Sequence, residues 1–271
     1  MDWSQPEIRD AVRRALKEDI GSGDVTTAAC VPADAEASGY FLSRESFPLA
    51  GLPLLELIYD QEEVETPFED SELVAADVII ARVRGKARRL LTLERTALNF
   101  LQRTCGIAAE ARRFVAALSG TNCRPLDTRK TTPGLRLIEK LSVRAGGAVN
   151  HRVGLWDAVL IKNNHITAAG GVREAFERCR AAGLPVEIEV RSRAELEEAL
   201  AIGADHLLLD NFMPDEVREA VRQIDGRAKI EASGGITVET ARAYAEAGAD
   251  FVSAGAMTHS ARAVDISFRI E

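Results

Sequence analysis

The chain has 271 residues, of which 46% are hydrophobic and 28% charged, with a formal net charge of -8 and a pI of about 5.3. An acidic chain of this kind is not expected to bind nucleic acid or an anionic membrane surface. The length suits two domains, and the four scattered cysteines match neither a zinc nor a redox motif. Because no signal peptide or membrane span is evident, we expect a cytoplasmic protein.

The first 119 residues combine helical and strand patterns without regular alternation, which predicts an α+β domain. The predicted helices cover 6–18, 48–59 and 88–118, the last with a break near Gly106, and the predicted strands cover 36–43 and 74–84. Residues 19–27, between the first helix and the first strand, are predicted to form a polar loop broken by glycines.

After Gly120, short apolar runs alternate with helical patterns, the rhythm of parallel strands joined by crossover helices. The predicted strands are 123–127, 158–162, 186–190, 206–210, 229–233 and 251–254, and the predicted helices are 135–145, 172–182, 194–202, 214–224 and 238–247. This rhythm predicts an α/β fold, an incomplete parallel (β/α) barrel over 120–263, with a doubly wound open sheet as the alternative. Residues 264–271 are predicted to form a last strand that returns to the first domain, 1–119.

The stretch 127–136 lies between a predicted strand and a predicted helix, and it carries the adjacent cations Arg129 and Lys130 flanked by threonine hydroxyls. Pro133 suits the first turn of the following helix. A solvated basic turn is the simplest interpretation of the two cations alone. A binding loop for an anionic substrate is favoured because other predicted strands also end in polar residues.

Reactive residues of a parallel barrel gather at the carboxyl ends of its strands. The predicted strand ends carry polar groups that are expected to meet at one edge: Asp127–Lys130, Lys162, Glu189, Asp210 and Ser233. Cations gathered there would repel one another without a bound anion, so they indicate a multiply anionic ligand. Glu189 and Asp210 could hold Mg²⁺ or ribose hydroxyls, although a buried ion pair with a cation is the alternative for Glu189.

Two late loops and the histidines complete the candidate site. Ser233 and Gly234 follow a strand and open a helix, where backbone N–H groups can bind phosphate, and Gly255 ends the next strand. His151 is a donor with a tunable charge. In contrast, His206 is predicted to be structural, and His165 is predicted to be a loop or capping residue.

These motifs resemble those of the quinolinate phosphoribosyltransferase family over essentially the whole chain. The most specific stretches are 127–136 and 150–152, and further matches lie at 18–24, 94–99, 160–162, 187–190, 209–211, 231–236 and 258–260. The resemblance implies an N-terminal α/β sandwich domain followed by an incomplete barrel. It also implies a Mg²⁺-dependent enzyme of de novo NAD biosynthesis that joins quinolinate to phosphoribosyl pyrophosphate, releases CO₂ and pyrophosphate, and forms nicotinate mononucleotide.

The resemblance further implies roles for individual residues. It places Lys130 at the pyrophosphate, and Glu189 and Asp210 at the ribose hydroxyls and the metal. It implies that the quinolinate carboxylates are bound by Arg129, His151, Arg152 and Lys162, with Thr128 in the same substrate-binding set. It also implies that the 5′-phosphate is bound by Ser233, Gly234, Gly255 and His259. Arg95, which helical spacing alone makes a surface residue, is implied to reach the neighbouring subunit's site in a homodimer, with room for a higher oligomer.

Two other functions stay open at this point. A barrel phosphotransferase or aldolase could use Lys162 as a Schiff-base lysine, and a non-catalytic protein could use the same cations to bind anions. A related group of proteins associated with molybdenum transport shares the fold. One departure from the family is Ala148, which stands where a glycine is usual; its methyl group restricts the backbone, and we expect it to be tolerated.

Overall fold

The computed structural model describes residues 1–271. They group into two compact units, the first formed by 1–112, 131–147 and 257–271 and the second by 113–130 and 148–256. The predicted domain limits, 1–119 and 120–263, stay a prediction; the two units divide the chain differently, chiefly because 131–147 groups with the N-terminal residues. None of the helices combines the length and the apolarity that crossing a bilayer requires.

The chain forms eleven helices and twelve strands. The helices are α1 (Pro6–Ile20), α2 (Val25–Cys30), α3 (Pro53–Ile58), α4 (Ala87–Ala117), α5 (Arg136–Ala145), α6 (Asn163–Ala169), α7 (Val172–Arg180), α8 (Arg193–Ala201), α9 (Pro214–Ile224), α10 (Val238–Ala247) and α11 (Ala256–His259). The strands are β1 (Glu36–Ser43), β2 (Phe47–Pro48), β3 (Glu63–Glu65), β4 (Leu73–Val74), β5 (Ile79–Lys86), β6 (Arg124–Leu126), β7 (Val159–Ile161), β8 (Val186–Val190), β9 (His206–Asp210), β10 (Lys229–Ser233), β11 (Phe251–Ser253) and β12 (Ile266–Ile270).

The first unit contains an antiparallel four-stranded sheet in the order β12-β1-β5-β3. The last strand of the chain, β12, therefore lies at one edge and pairs with β1. Phe41 of β1 is completely buried, and its ring lies 4.9 Å from that of Phe268 in β12, centroid to centroid. Apolar residues of α1, α3 and α4 join the same core, among them Ile8, Leu54 and Leu90.

Two local predictions for this unit are wrong. The long helix α4 is not broken at Gly106, because glycine serves packing there: a Cβ atom would lie 2.1 Å from the carbonyl oxygen of Arg262. The predicted polar loop 19–27 instead includes the start of α2, because the Asp24 side chain accepts a hydrogen bond from the backbone N–H of Thr27 and caps that helix.

The second unit contains a parallel six-stranded sheet in the order β6-β11-β10-β9-β8-β7. Strands β7 to β11 lie side by side in chain order, and β6, the first of the six, pairs with β11, the last. A doubly wound sheet would reverse its order at a switch point, whereas this circular order is that of a barrel. No pairing joins β6 to β7, so the predicted incomplete (β/α) barrel is confirmed.

The two faces of this sheet have opposite characters. Apolar residues such as Ile188, Leu207 and Val252 are completely buried on one face, against which the crossover helices pack. Because side chains alternate along a strand, the intervening residues project from the other face. These include four carboxylates, namely Glu187, Glu189, Asp210 and Glu231.

Candidate active site

The strand ends of the second unit bring predicted site residues to one edge of the sheet. Lys162 follows β7 directly, and Glu189 lies near the end of β8. Asp210 ends β9 and is paired in register with Ser233, which ends β10. Glu189 pairs with Leu208, two residues before Asp210, so both carboxylates project from the same face. Residues far apart in the sequence are therefore neighbours here.

An ion pair joins the first two strands of this group. Nζ of Lys162 lies 2.8 Å from Oε2 of Glu189, and the lysine side chain is 49% exposed while the glutamate side chain is 11% exposed. The predicted alternative for Glu189, a partner for a cation, is thus present in the structure. Lys162 is thus already engaged by a carboxylate, whereas a Schiff-base lysine presents its amine to a carbonyl substrate.

The surroundings of Asp210 show that charges of both signs converge. Burial raises the pKa of Asp210, and the Glu189 carboxylate raises it further, whereas the nearby cations Lys162, Lys130 and Arg191 lower it. Lys130 follows β6, on the opposite side of the sheet order from Lys162 and β7. The carboxylate therefore lies within the field of cations from separate strand ends.

Two arginines form the second group of cations. Arg152 is half-buried, and burial lowers the pKa of its guanidinium, while the positive charge of Arg129 lowers it further. Like charges held this close are stabilised by a ligand of opposite charge. In the loop that contains Arg129, the Thr128 hydroxyl accepts a hydrogen bond of 3.0 Å from the backbone N–H of Lys130. This bond shapes the turn that carries Arg129 and Lys130.

His151 is turned towards the polar face of the sheet. Its Nε2 lies 3.0 Å from Oε2 of Glu187, and its Nδ1 accepts a hydrogen bond of 2.7 Å from the backbone N–H of Arg152. The fully buried Asp127 accepts hydrogen bonds from the backbone N–H of His151 and from the side chain of Asn150. The segment 150–152 has no regular secondary structure, so these bonds determine its position.

The loops after β10 and β11 are adjacent because these strands pair in parallel. Gly234 has a φ of +108°, and a Cβ atom at this position would lie 2.2 Å from Oδ1 of Asn211. The backbone N–H of Asn211, which follows β9, donates to the carbonyl of Ser233, so the loops after β9 and β10 are tied together at a position that only glycine fits. Gly255 follows β11 at the neighbouring strand end. Asn211 is a functional candidate that strand-end reasoning passed over.

Two predicted site residues belong to the first unit. Arg95 is exposed on α4, off its apolar face, as helical spacing predicts. His259 ends α11, is exposed, and its Nδ1 lies 2.6 Å from the hydroxyl of Ser260. Their roles at the site stay proposals.

The two remaining histidines match their predicted roles. His165 caps α6, since its Nδ1 accepts a hydrogen bond from the backbone N–H of Lys162 at 2.9 Å. His206 begins β9 and stacks on Phe251, with 5.9 Å between the ring centroids. Sequence reasoning gave no role to Glu187 and Glu231; the i, i+2 spacing of Glu187 and Glu189 was the available signal that both occupy one face.

Comparisons with known proteins identify the family of the chain. The N-terminal domain of the quinolinate phosphoribosyl transferase family matches residues 24–105, and its C-terminal domain matches 107–269. The chain is 42% identical to nicotinate-nucleotide pyrophosphorylase [carboxylating] of Mycobacterium leprae, covering 95% of each chain, and 37% identical to the probable enzyme of that name in Bacillus subtilis, covering 97% of this chain and 93% of the other.

Solved structures show the same fold. The crystal structure of NadC from Streptococcus pyogenes has a TM-score of 0.93 at 38% identity and covers 100% of this chain and 99% of its own. The nicotinate-nucleotide pyrophosphorylase from Francisella tularensis has a TM-score of 0.94 at 36% identity, covering 99% and 98%. With both domains matched and relatives aligned over nearly their full length, the chain belongs to the quinolinate phosphoribosyl transferase family.

Proposed function

We propose that this chain transfers the phosphoribosyl group of phosphoribosyl pyrophosphate to quinolinate with loss of CO₂, giving nicotinate mononucleotide and pyrophosphate. The observation that carries the proposal is the convergence of cations and carboxylates from separate strand ends in a member of this family. Substrates that bear two carboxylates and several phosphates have the charges that such a site requires. The pairing of Lys162 with Glu189 argues against the Schiff-base alternative.

Quinolinate is the ligand proposed for the cations. Arg129 and Arg152 offer planar, paired N–H donors that suit carboxylates, and Lys162 adds a point charge. A bound dicarboxylate offsets the repulsion between the two guanidinium groups, which already lowers the pKa of Arg152. Held in this way, the pyridine nitrogen faces the ribose carbon, so the residues act by positioning the reactants rather than as nucleophiles.

Phosphoribosyl pyrophosphate is the ligand proposed for the remaining strand ends. Lys130 faces the pyrophosphate, and Glu189 and Asp210 accept hydrogen bonds from the ribose hydroxyls. The 5′-phosphate lies against Ser233, Gly234 and Gly255, with His259 as a further donor. The tie between Gly234 and Asn211 supports this assignment, because it holds the loop after β10 in a fixed shape.

Mg²⁺ fits the carboxylate pair at the strand ends. The donors are oxygen atoms, and burial together with the neighbouring Glu189 carboxylate raises the pKa of Asp210, which a bound cation would offset. Glu189 and Asp210 would hold the ion, which when bound supplies charge neutralisation for the departing pyrophosphate. Once the ring nitrogen is alkylated, the bond from the ring to the adjacent carboxylate breaks and CO₂ leaves. The positive nitrogen stabilises the electron pair that stays on the ring carbon, and that carbon then takes up a proton.

A direct assay tests the proposal. The protein is incubated with quinolinate, phosphoribosyl pyrophosphate and Mg²⁺, and nicotinate mononucleotide and CO₂ are measured, with nicotinate replacing quinolinate as the control for substrate choice. We expect product from quinolinate only, and less of it when the metal is chelated. Calorimetric binding of both substrates without product would instead identify a non-catalytic anion-binding protein.

We further propose a homodimer in which Arg95 reaches the neighbouring subunit's site, working in the cytoplasm, where the four free cysteines stay reduced. The exposure of Arg95 on α4 supports this. Mixing and reassociating inactive Arg95→Ala and Arg152→Ala chains should regain about a quarter of wild-type activity, because each mixed dimer then contains one intact site. Failure to regain activity, with mixed dimers verified by mass, would place Arg95 in its own subunit's site or outside both.

A further inference from the structure

A second group of titratable residues lies on the polar face of the six-stranded sheet, deeper than the strand ends. Nε2 of His151 is 3.0 Å from Oε2 of Glu187 in β8 and 3.6 Å from Oε2 of Glu231 in β10. The ligating atoms of these three residues all lie within 4.8 Å of one another. Glu231 is 1% exposed and Glu187 is 6% exposed, so water does not solvate these carboxyl groups.

Most of the carboxyl oxygens in this group have no hydrogen-bond donor. Neither carboxyl oxygen of Glu231 has a hydrogen-bond partner, and Oε1 of Glu187 has none. The neighbouring strands contribute few donors. Nε2 of His206, in β9, lies 3.7 Å from Oε1 of Glu187, and Ser253, in β11, lowers the pKa of Glu231. Apart from the bond between His151 and Oε2 of Glu187, the two buried carboxylates have no hydrogen-bond donor, and one proton on the pair relieves the resulting desolvation cost.

The electrostatics place that proton on Glu231. Burial raises the pKa of Glu231 to about 8, the neighbouring Glu187 carboxylate contributes to the increase, and His151 opposes it. At neutral pH the pair is therefore one carboxylic acid beside one carboxylate. A carboxylic acid has an O–H donor, so the protonated Glu231 can donate to the Glu187 carboxylate, and part of the shortage of donors is met within the pair.

His151 links this pair to the proposed quinolinate site. With Nδ1 accepting from the Arg152 backbone, the ring carries its proton on Nε2 and donates it to Glu187. The other side of the segment is held by Asp127, which accepts the backbone N–H of His151 at 2.8 Å. The imidazole therefore connects the buried carboxyl pair to the backbone of Arg152 through one hydrogen bond at each ring nitrogen.

We propose that Glu231 and Glu187 are positioning residues of the quinolinate site: as a carboxylic acid and a carboxylate they hold the ring of His151 and, through it, the backbone that carries Arg152. This inference rests on the proposed function, because it explains how that function's carboxylate-binding segment is held in place. Ionisation of Glu231 places a second negative charge beside Glu187. The repulsion between the two carboxylates displaces the ring of His151 and, with it, the backbone of Arg152. Quinolinate binding then weakens as the pH rises, while phosphoribosyl pyrophosphate binding at other loops does not.

The pH dependence of KM in a Glu231→Gln variant tests this. Glutamine stays neutral at every pH and keeps an N–H donor. From about pH 6.5 to about pH 9.5 we expect the wild-type KM for quinolinate to rise by up to about tenfold per unit above the pKa of Glu231, with a smaller change in kcat. The Glu231→Gln variant should lose this rise, and Glu177→Gln, on the exposed surface of α7, should retain it. An unchanged rise in Glu231→Gln overturns the proposal.

If the Glu231→Gln variant fails to fold, a measurement on the wild-type protein still tests the proposal. Infrared spectroscopy should show the carbonyl stretch of a protonated carboxyl group at neutral pH that disappears as the solution becomes alkaline. Absence of this band at neutral pH overturns the proposal, and so does stoichiometric binding of Zn²⁺ that Glu231→Gln abolishes, since the cluster would then be a metal site. The infrared band can be measured without catalysis. Its presence or absence is therefore independent of the product assay, which alone decides the proposed function.

Discussion

Two sets of carboxylates project from the same face of the six-stranded sheet and differ in what surrounds them. At the strand ends, Glu189 is paired with Lys162, and Asp210 lies in the field of several cations. Deeper in the sheet, Glu187 and Glu231 lie close to His151 and are almost completely buried. Since Glu187 and Glu189 are two residues apart in one strand, depth rather than residue type separates the carboxylates proposed to bind ligands from those proposed to be structural.

Removal of a cation from the proposed quinolinate site should produce the largest loss of activity with little loss of stability. Arg152→Ala removes a planar donor for a quinolinate carboxylate, so we expect kcat/KM for quinolinate to fall by about a thousandfold. Steady-state kinetics and thermal unfolding measure the two effects. Arg173→Ala, in an exposed helical pair with Glu177, is the control that should retain activity. An Arg152→Ala enzyme with unchanged quinolinate turnover would refute the site.

Distortion of the loop after β10 should produce a smaller and more selective loss. Gly234→Ala introduces a Cβ atom that collides with Asn211 at a φ of +108°, so we expect the KM for phosphoribosyl pyrophosphate to rise by about tenfold while that for quinolinate changes little. Gly226→Ala is the matched control, because its φ of +71° is also left-handed but its Cβ atom meets nothing within 4 Å. Equal kinetics in the two variants would show that the tie to Asn211 is unimportant for the phosphate site.

The deep carboxyl pair should affect stability through pH. Glu231 has a folded-state pKa raised to about 8, above its ordinary value of 4.5, so the folded state binds the extra proton between these values. Its contribution to stability is therefore complete below about pH 4.5 and is lost as the pH rises through about 8. Denaturant unfolding should show the wild-type free energy decreasing over this range relative to Glu231→Gln. Parallel curves for the two proteins would mean that Glu231 is ionised throughout.

The smallest effect is expected at the departure from the family's glycine pattern. Ala148 is buried and has an ordinary negative φ, so the backbone there does not require glycine. Ala148→Gly should leave KM for both substrates unchanged and lower the free energy of unfolding by about 0.5–1 kcal/mol, because glycine has more freedom to lose on folding. A large gain in activity from this change would show that the methyl group distorts the neighbouring segment.

The barrel was predictable because its strands are short apolar runs bounded by polar residues. The predicted limits of β8, β9 and β10 agree with the structure at both ends. Helix α6 was missed because none of its residues is buried, so no apolar stripe marks it. Its cap by His165 was nonetheless foreseeable from the residues beside Lys162.

Features that depend on tertiary register were out of reach. Spacing within β8 places Glu187 and Glu189 on one face, but the partner that faces Glu187 comes from β10, two strands away. Only the register of β8, β9 and β10 brings Glu231 to that depth. Similarly, glycine at position 106 was read as a helix breaker, whereas its reason is the close approach of the chain near Arg262, more than a hundred residues later.

The return of β12 to β1 has a consequence for how the protein is made. The backbone N–H of Glu271 donates to the carbonyl of Ser38, and its carboxylate pairs with Arg82. On the ribosome, β1 is synthesised early, yet the edge that pairs with β12 stays without a neighbour until β12 has been translated. Loss of β12, by early termination or proteolysis, would therefore leave an open edge on β1.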